Sequence, residues 1–105
     1  MVLWIDDIRE KPNEDCVWAK SVNGAKYVIL MHEWMIEHKG SDSIELIDID
    51  HDAGEYVSGG GDYIKLLDWL EETGRNYPIR IHSQNPVGVQ NMRAIIQRNG
   101  WTEVK

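Results

Sequence analysis

Three short apolar runs end in residues suited to phosphate and metal chemistry. Asp6-Asp7 follows Val2–Ile5, Asp50-His51-Asp52 follows Ile44–Ile49, and His82-Ser83, with Asn85, follows Ile79–Ile81. Carboxylates crowded into one crevice repel unless something neutralises them. A hard divalent cation does so through oxygen ligands, Mg²⁺ in the first instance and Mn²⁺ as the substitute. Asp6, Asp7, Asp50 and Asp52 are therefore the candidate metal ligands. Without a metal, Asp7 would cap the turn after it and Asp52 the loop after it. Asp48 shares a strand face with Asp50 and reads as a buried carboxylate paired with Arg or Lys.

His51 and His82 each follow an apolar run directly. Two imidazoles titrating near neutral pH suit general base and general acid in phosphoester cleavage. The alternative is that they only hydrogen-bond backbone at a sheet edge. Asn85-Pro86 reads as an N-cap followed by a proline in the first helical turn. Free N–H groups at such a helix start hold anions, with Ser83 and Asn85 as added donors. Asn91, farther along the same helix, is a further candidate. Arg9, just past the acidic pair, either clamps a phosphate or is a solvated loop residue. His32 and His38 read as surface or core-edge residues of a helix. Gly59-Gly60-Gly61 is not a Walker loop, because no Gly-Lys-Ser/Thr follows it.

Those clusters need a scaffold that brings segments about forty residues apart together. Val2–Ile5, Cys16–Ala19, Ile44–Ile49 and Ile79–Ile81 read as strands. A helix opening at Asn23 or Gly24 carries Ala25, Val28, Ile29, His32 and Ile36 at helical spacing and stops at Gly40. A second helix, capped by Asp62, carries Tyr63, Leu66, Leu67 and Leu70 and stops at Gly74. A third, after Asn85, carries Val89, Met92, Ile95 and Ile96 and stops at Gly100. Trp101–Val104 reads as an edge strand, and Ala53–Gly61 as a flexible glycine-rich loop. Strands alternating with helices imply α/β architecture: a mainly parallel sheet of four or five strands, about three helices, and three layers. The first crossover, from Asp7 to Cys16, has room only for a loop or a single turn. In an open parallel sheet all strand carboxyl ends share one edge, and ligands bind outside it.

Bulk composition sets the outer limits. The chain has 105 residues, net charge −7, one cysteine, five tryptophans and no phenylalanine. One domain spanning 1–105 is expected. The acidic surface disfavours non-specific nucleic-acid binding and anionic membranes, but not a small anion bridged by a metal. A single Cys16 beside Val17 and Trp18 reads as a buried, inert thiol in a reducing compartment. The opening stretch turns acidic at Asp6, too soon for a signal peptide, and no apolar run is long enough to span a membrane. The expected location is cytoplasmic. Oligomeric state is not legible.

Leu3-Trp4-Ile5-Asp6-Asp7-Ile8-Arg9, Asp50-His51-Asp52-Ala53-Gly54, Gly61-Asp62 and His82-Ser83-Gln84-Asn85-Pro86-Val87-Gly88, with Asn91-Met92, together resemble the cyclic-phosphate-processing receiver-like domain. The resemblance implies a pared-down receiver, or flavodoxin-like, fold. Asp6 and Asp7 match the receiver's Mg²⁺-binding acidic pair, and Asp50 its phosphoacceptor aspartate. The receiver's lysine after the last strand has no counterpart here. Two histidines in the site suit phosphoester hydrolysis better than phosphoryl storage. The resemblance thus implies a metal-dependent phosphoesterase acting on a cyclic phosphate of a nucleotide or an RNA end. Asp50, His51 and His82 would be its catalytic residues, with Asp50 either a ligand or a covalent nucleophile. The alternatives are a non-catalytic module that binds a phosphorylated ligand or a partner protein, and a phosphoacceptor in a relay.

Overall fold

A computed structural model describes all 105 residues, Met1–Lys105. Its elements are β1 (Val2–Ile5), β2 (Cys16–Ala19), α1 (Val22–Lys39), β3 (Leu46–Ile49), a 3₁₀ segment (Gly54–Gly59), α2 (Ile64–Glu72), β4 (Ile79–Ile81) and α3 (Pro86–Arg98). The strands form one sheet in the order β2-β1-β3-β4. Every neighbouring pair is parallel. This is the α/β receiver-like arrangement the sequence predicted, with the order reversal between β1 and β3 that marks a ligand-binding edge. No helix is long and apolar enough to cross a membrane.

Alternation along the strands sorts the sheet into two unlike faces. Leu3, Ile5, Ile47, Ile49 and Ile79 lie on one face and belong to a single cluster of 18 buried residues. The same cluster takes Val22, Ala25 and Ile29 from α1, Leu66, Leu67 and Leu70 from α2, and Met92, Ile95 and Ile96 from α3. All three helices therefore cover one face. The other face carries Trp4, in register with Trp18 and Asp48, and Arg80, in register with Asp48. It is roofed by the β1–β2 loop: the Trp4 indole N–H donates to the Arg9 carbonyl at 2.8 Å and that of Trp18 to the Asp6 carbonyl at 2.8 Å. The sandwich is thus pared down to two layers rather than three. The first crossover is too short for the helix that would cover the second face.

Local differences from the sequence reading have local causes. Helix α1 starts at Val22, because Ser21 is its cap and accepts the Gly24 N–H at 3.0 Å. β3 starts at Leu46; Ile44 is buried but lies ahead of the paired residues. The glycine-rich stretch is an ordered 3₁₀ segment rather than a loose loop. Asp62 holds its entrance, accepting the Ala53 N–H at 2.9 Å, and so does not cap α2. Helix α2 instead enters through backbone bonds, Lys65 N–H to Asp62 O and Leu66 N–H to Tyr63 O, each 2.9 Å. The expected edge strand at 101–104 is one bridge, Ile79 with Glu103, beside β4. Cys16 is a buried free thiol, as expected.

Candidate functional site

Register alone lines up four side chains. Ile5 is level with Ala19 and Ile49, and Ile49 with Ile81. The first residue past each strand is therefore, in spatial order, Lys20, Asp6, Asp50 and His82. The ladder continues through them: Asp6 N–H bonds Ala19 O at 3.3 Å, Asp50 N–H bonds Ile5 O at 2.9 Å, and His82 N–H bonds Ile49 O at 2.9 Å. Two acids stand between two bases along one edge.

Asp6, Asp7 and Asp50 each offer a carboxylate oxygen within 4.8 Å of the others. Asp6 is buried, with 1% of its side chain exposed. Its Oδ1 accepts the Ile8 and Arg9 N–H groups at 3.0 and 2.8 Å, and its Oδ2 accepts from His82 Nε2 at 2.9 Å. Burial pushes this carboxyl up, but those donors and the His82 charge outweigh it and hold it below the usual aspartate range. Asp7 is pushed the other way, first by burial and then by repulsion from Asp6 and Asp50. Gly54, at φ +56°, leaves no room for a side chain beside the Asp7 carboxylate. Three hard oxygen donors, one strained by its neighbours' charge, fit a divalent cation. Asp52 stands apart from this group. Its carboxylate, 59% exposed, meets His51 Nδ1 at 2.8 Å and Asn85 Nδ2 at 3.4 Å.

The two histidines have unlike settings. Both nitrogens of the His82 ring are engaged, Nδ1 with Asp48 at 2.7 Å and Nε2 with Asp6 at 2.9 Å. The ring stacks on Trp4, centroids 3.9 Å apart and planes within 2°. Burial works against its charge, yet the bonds to Asp48 and Asp6 and their charges prevail and raise its pKa above 6.5. His82 is thus held as a strut between two buried carboxylates, with neither ring nitrogen left without a partner. Asp48 also meets Arg80 Nη1 at 3.3 Å, the pairing expected of it. His51 shows one nitrogen to Asp52 and leaves the other without a protein partner. Its ring lies on the first turn of α3, where Gly88 is required: a Cβ there would stand 2.5 Å from the imidazole.

That turn is built as expected. Asn85 Oδ1 caps it through the Gly88 N–H at 3.0 Å, and Pro86 is its first residue. Ser83 Oγ accepts the Asn85 N–H at 3.2 Å. Asn91 is exposed and lies more than a helical turn farther along α3, apart from these groups. Arg9 is also exposed; its backbone, not its guanidinium, makes the contacts to Asp6 and Trp4.

Lys20 and Tyr63 escaped the sequence reading. The Lys20 ammonium lies 4.4 Å from the Trp18 ring centroid and 5.9 Å from that of Tyr56. The buried Tyr63 hydroxyl donates to the Lys20 carbonyl at 2.8 Å. Burial and then the charges of Asp7, Asp6 and Asp50 push that phenol far up, so it stays neutral. Lys20 was legible in principle, since it follows β2 as Asp6 follows β1. Tyr63 had only a helical-core signal. The largest surface concavity, about 770 Å³, lies elsewhere, at the amino ends of the strands near Met1, Asp15 and Glu45. The site is thus an open edge rather than an enclosed pocket.

Residues 1–98 match the family model of the cyclic-phosphate processing receiver domain. Searches of curated proteins and of solved structures found no match. With a parallel sheet in receiver-like order, an acidic group where a cation would sit and a match over nearly its whole length, the chain belongs to the cyclic-phosphate processing receiver domain family.

Proposed function

We propose that this domain is a metal-dependent phosphoesterase that opens a cyclic phosphate on a nucleotide or an RNA end. The observation that carries the reading is the placement of His51: an oriented imidazole with one free nitrogen, on the helix start that follows the acidic edge. Asp6, Asp7 and Asp50 would hold the cation, Mg²⁺ or Mn²⁺, which supplies charge neutralisation and Lewis acidity at the phosphoryl oxygens. His51 takes the proton of the attacking water and returns one to the leaving oxygen. Asp52 fixes its tautomer, as an aspartate does in a catalytic dyad. His82 acts through Asp6, holding that carboxylate ionised and aimed. The one N–H left without an acceptor in the first turn of α3, that of Val87, with the Ser83 hydroxyl, would bind phosphate oxygens. Lys20 supplies the positive charge that the receiver's missing lysine would have brought, and Arg9 is near enough in sequence to add to it. An open edge suits the protruding end of a longer chain as well as a free nucleotide.

The test is incubation with 2′,3′-cyclic nucleotides and Mg²⁺ or Mn²⁺, followed by phosphorus NMR. Ring opening to a monoester is expected, with kcat reduced roughly 10²–10⁴-fold in His51→Ala. Absence of turnover by the wild type, or undiminished turnover by His51→Ala, would sink the proposal. Metal-dependent binding without turnover would favour a ligand-sensing module. Labelling of Asp50 by acetyl phosphate would favour a phosphoacceptor.

A further inference from the structure

Helix α1 is apolar on two opposite sides. It buries Val22, Ala25 and Ile29 against the sheet. Yet Tyr27, Leu30, Met31 and Trp34 are exposed, at 65, 48, 38 and 48%. These four follow the spacing i, i+3, i+4, i+7 and, at about 100° per residue, form one stripe facing away from the sheet. His38, the next turn on, stacks on Trp34 with centroids 4.5 Å apart and lengthens the stripe. A surface helix is ordinarily polar on that side. Exposed apolar side chains gathered into one contiguous stripe, rather than scattered singly, mark an interface.

We propose that the outer stripe of α1 is a homodimer interface, packing antiparallel against the same stripe of a second copy about a two-fold axis. Two observations select a second copy over another partner. The first is charge. The chain carries −7 overall, but the charged residues of α1 are Lys26, Glu33, Glu37 and Lys39, which cancel. A basic partner would call for an acidic rim, and this rim is neutral. The second is self-complementarity. Lys26 and Glu37 fall on the same flank of the stripe, at opposite ends. In an antiparallel two-fold pair, like flanks meet. Lys26 of each copy then faces Glu37 of the other, and the axis passes near Met31, within a residue of the stripe's own midpoint. The Lys26 ammonium lies over the Trp69 ring, 5.7 Å from its centroid, which keeps its stem on that flank. Glu37 makes no ion pair within its own chain. The stripe contains none of the strand-edge site residues, so this inference stands apart from the proposed activity.

Sedimentation velocity on the whole chain from 1 µM to 1 mM tests it. Because the patch is small for a dimer, a Kd on the order of 10 µM is expected. Trp34→Glu raises Kd at least tenfold while far-ultraviolet circular dichroism and Tm stay as in the wild type. Lys26→Glu and Glu37→Lys each weaken the dimer by like-charge contact. An equimolar mixture of those two variants restores it, since both cross-axis contacts then join opposite charges. A monomer throughout the range, or a dimer indifferent to Trp34→Glu, overturns the proposal. Failure of the mixture to restore association overturns the antiparallel arrangement that defines it.

Discussion

At the residue scale, the deciding group is His82. Strand-end position made it look like a proton shuttle, but two carboxylates and an indole enclose it. Its raised pKa ties it to stability with a definite sign. A histidine whose pKa is higher folded than unfolded contributes fully below the unfolded value, near 6.5. That contribution disappears as pH rises through the folded value. In metal-free protein the urea midpoint should therefore fall as pH rises above 6.5, and His82→Gln should remove that slope. Histidine NMR provides the direct check: a His82 pKa below 6.5 would contradict the strut. The residue was legible as important from its place after β4. Its role was not, because Asp48 and Asp6 reach it from other strands.

At the scale of elements, two contacts show how the helices are set. The first turn of α3 meets His51 through Gly88, where a methyl group would displace the ring. Gly88→Ala improves helix propensity by about 1 kcal/mol, which offsets part of the clash. We expect Tm to change little, His51 NMR shifts to move, and turnover of a cyclic nucleotide to fall about tenfold. Unmoved His51 resonances would refute the contact. Helix α1 is tied to the segment between α2 and β4 by Glu33, whose carboxylate meets Arg75 Nε and Nη2 at 2.8 Å each and the Tyr77 hydroxyl at 3.1 Å. The Arg75 hydrogen bond, despite opposing burial, holds Glu33 below its ordinary range. Burial first, and then the hydrogen bond to Glu33 and its charge, push the Tyr77 phenol up to about 12, against the opposing charge of Arg75. The pair's contribution is present above pH 4.5 and lost as pH falls through the lower folded value. Glu33→Gln should cost about 0.5–1 kcal/mol at pH 7 after solvent screening, and nothing at low pH. Equal losses at pH 7 and pH 3 in chemical denaturation would disprove this assignment.

At the scale of the whole molecule, the acidic edge is a place where like charges work against folding. Asp7 is held against the charges of Asp6 and Asp50. Asp7→Asn should therefore stabilise the metal-free protein by about 0.5–1 kcal/mol. Millimolar Mg²⁺ should stabilise the wild type by about 1.4 kcal/mol at ten times its Kd, a Tm rise of roughly 5 °C. Asp7→Asn should lose that response. Scanning calorimetry with and without Mg²⁺ reads both effects, and an equal Mg²⁺ response in the variant would remove Asp7 from the ligand set. One-sided helical cover belongs to this scale too. With no helix in the first crossover, Trp4 and Trp18 rely on the loop above them, and their indole N–H groups fasten it.

The sequence by itself determined the strands, the helices and the edge at which they deliver their polar residues. Apolar runs, an Asn-Pro cap and glycine stops are local signals, and parallel pairing makes all carboxyl ends coincide. Asp6, Asp7 and Asp50 were therefore legible as a group. Only the tertiary structure decided what faces what. It bridged His82 between Asp6 and Asp48, turned Asp62 back to Ala53, set Asp52 beside His51 rather than with the other acids, and brought Lys20 level with Asp6. Such partners lie on different strands and loops. Which of them meet depends on register, on the face each strand presents and on which crossovers carry a helix, and no local pattern encodes those three things.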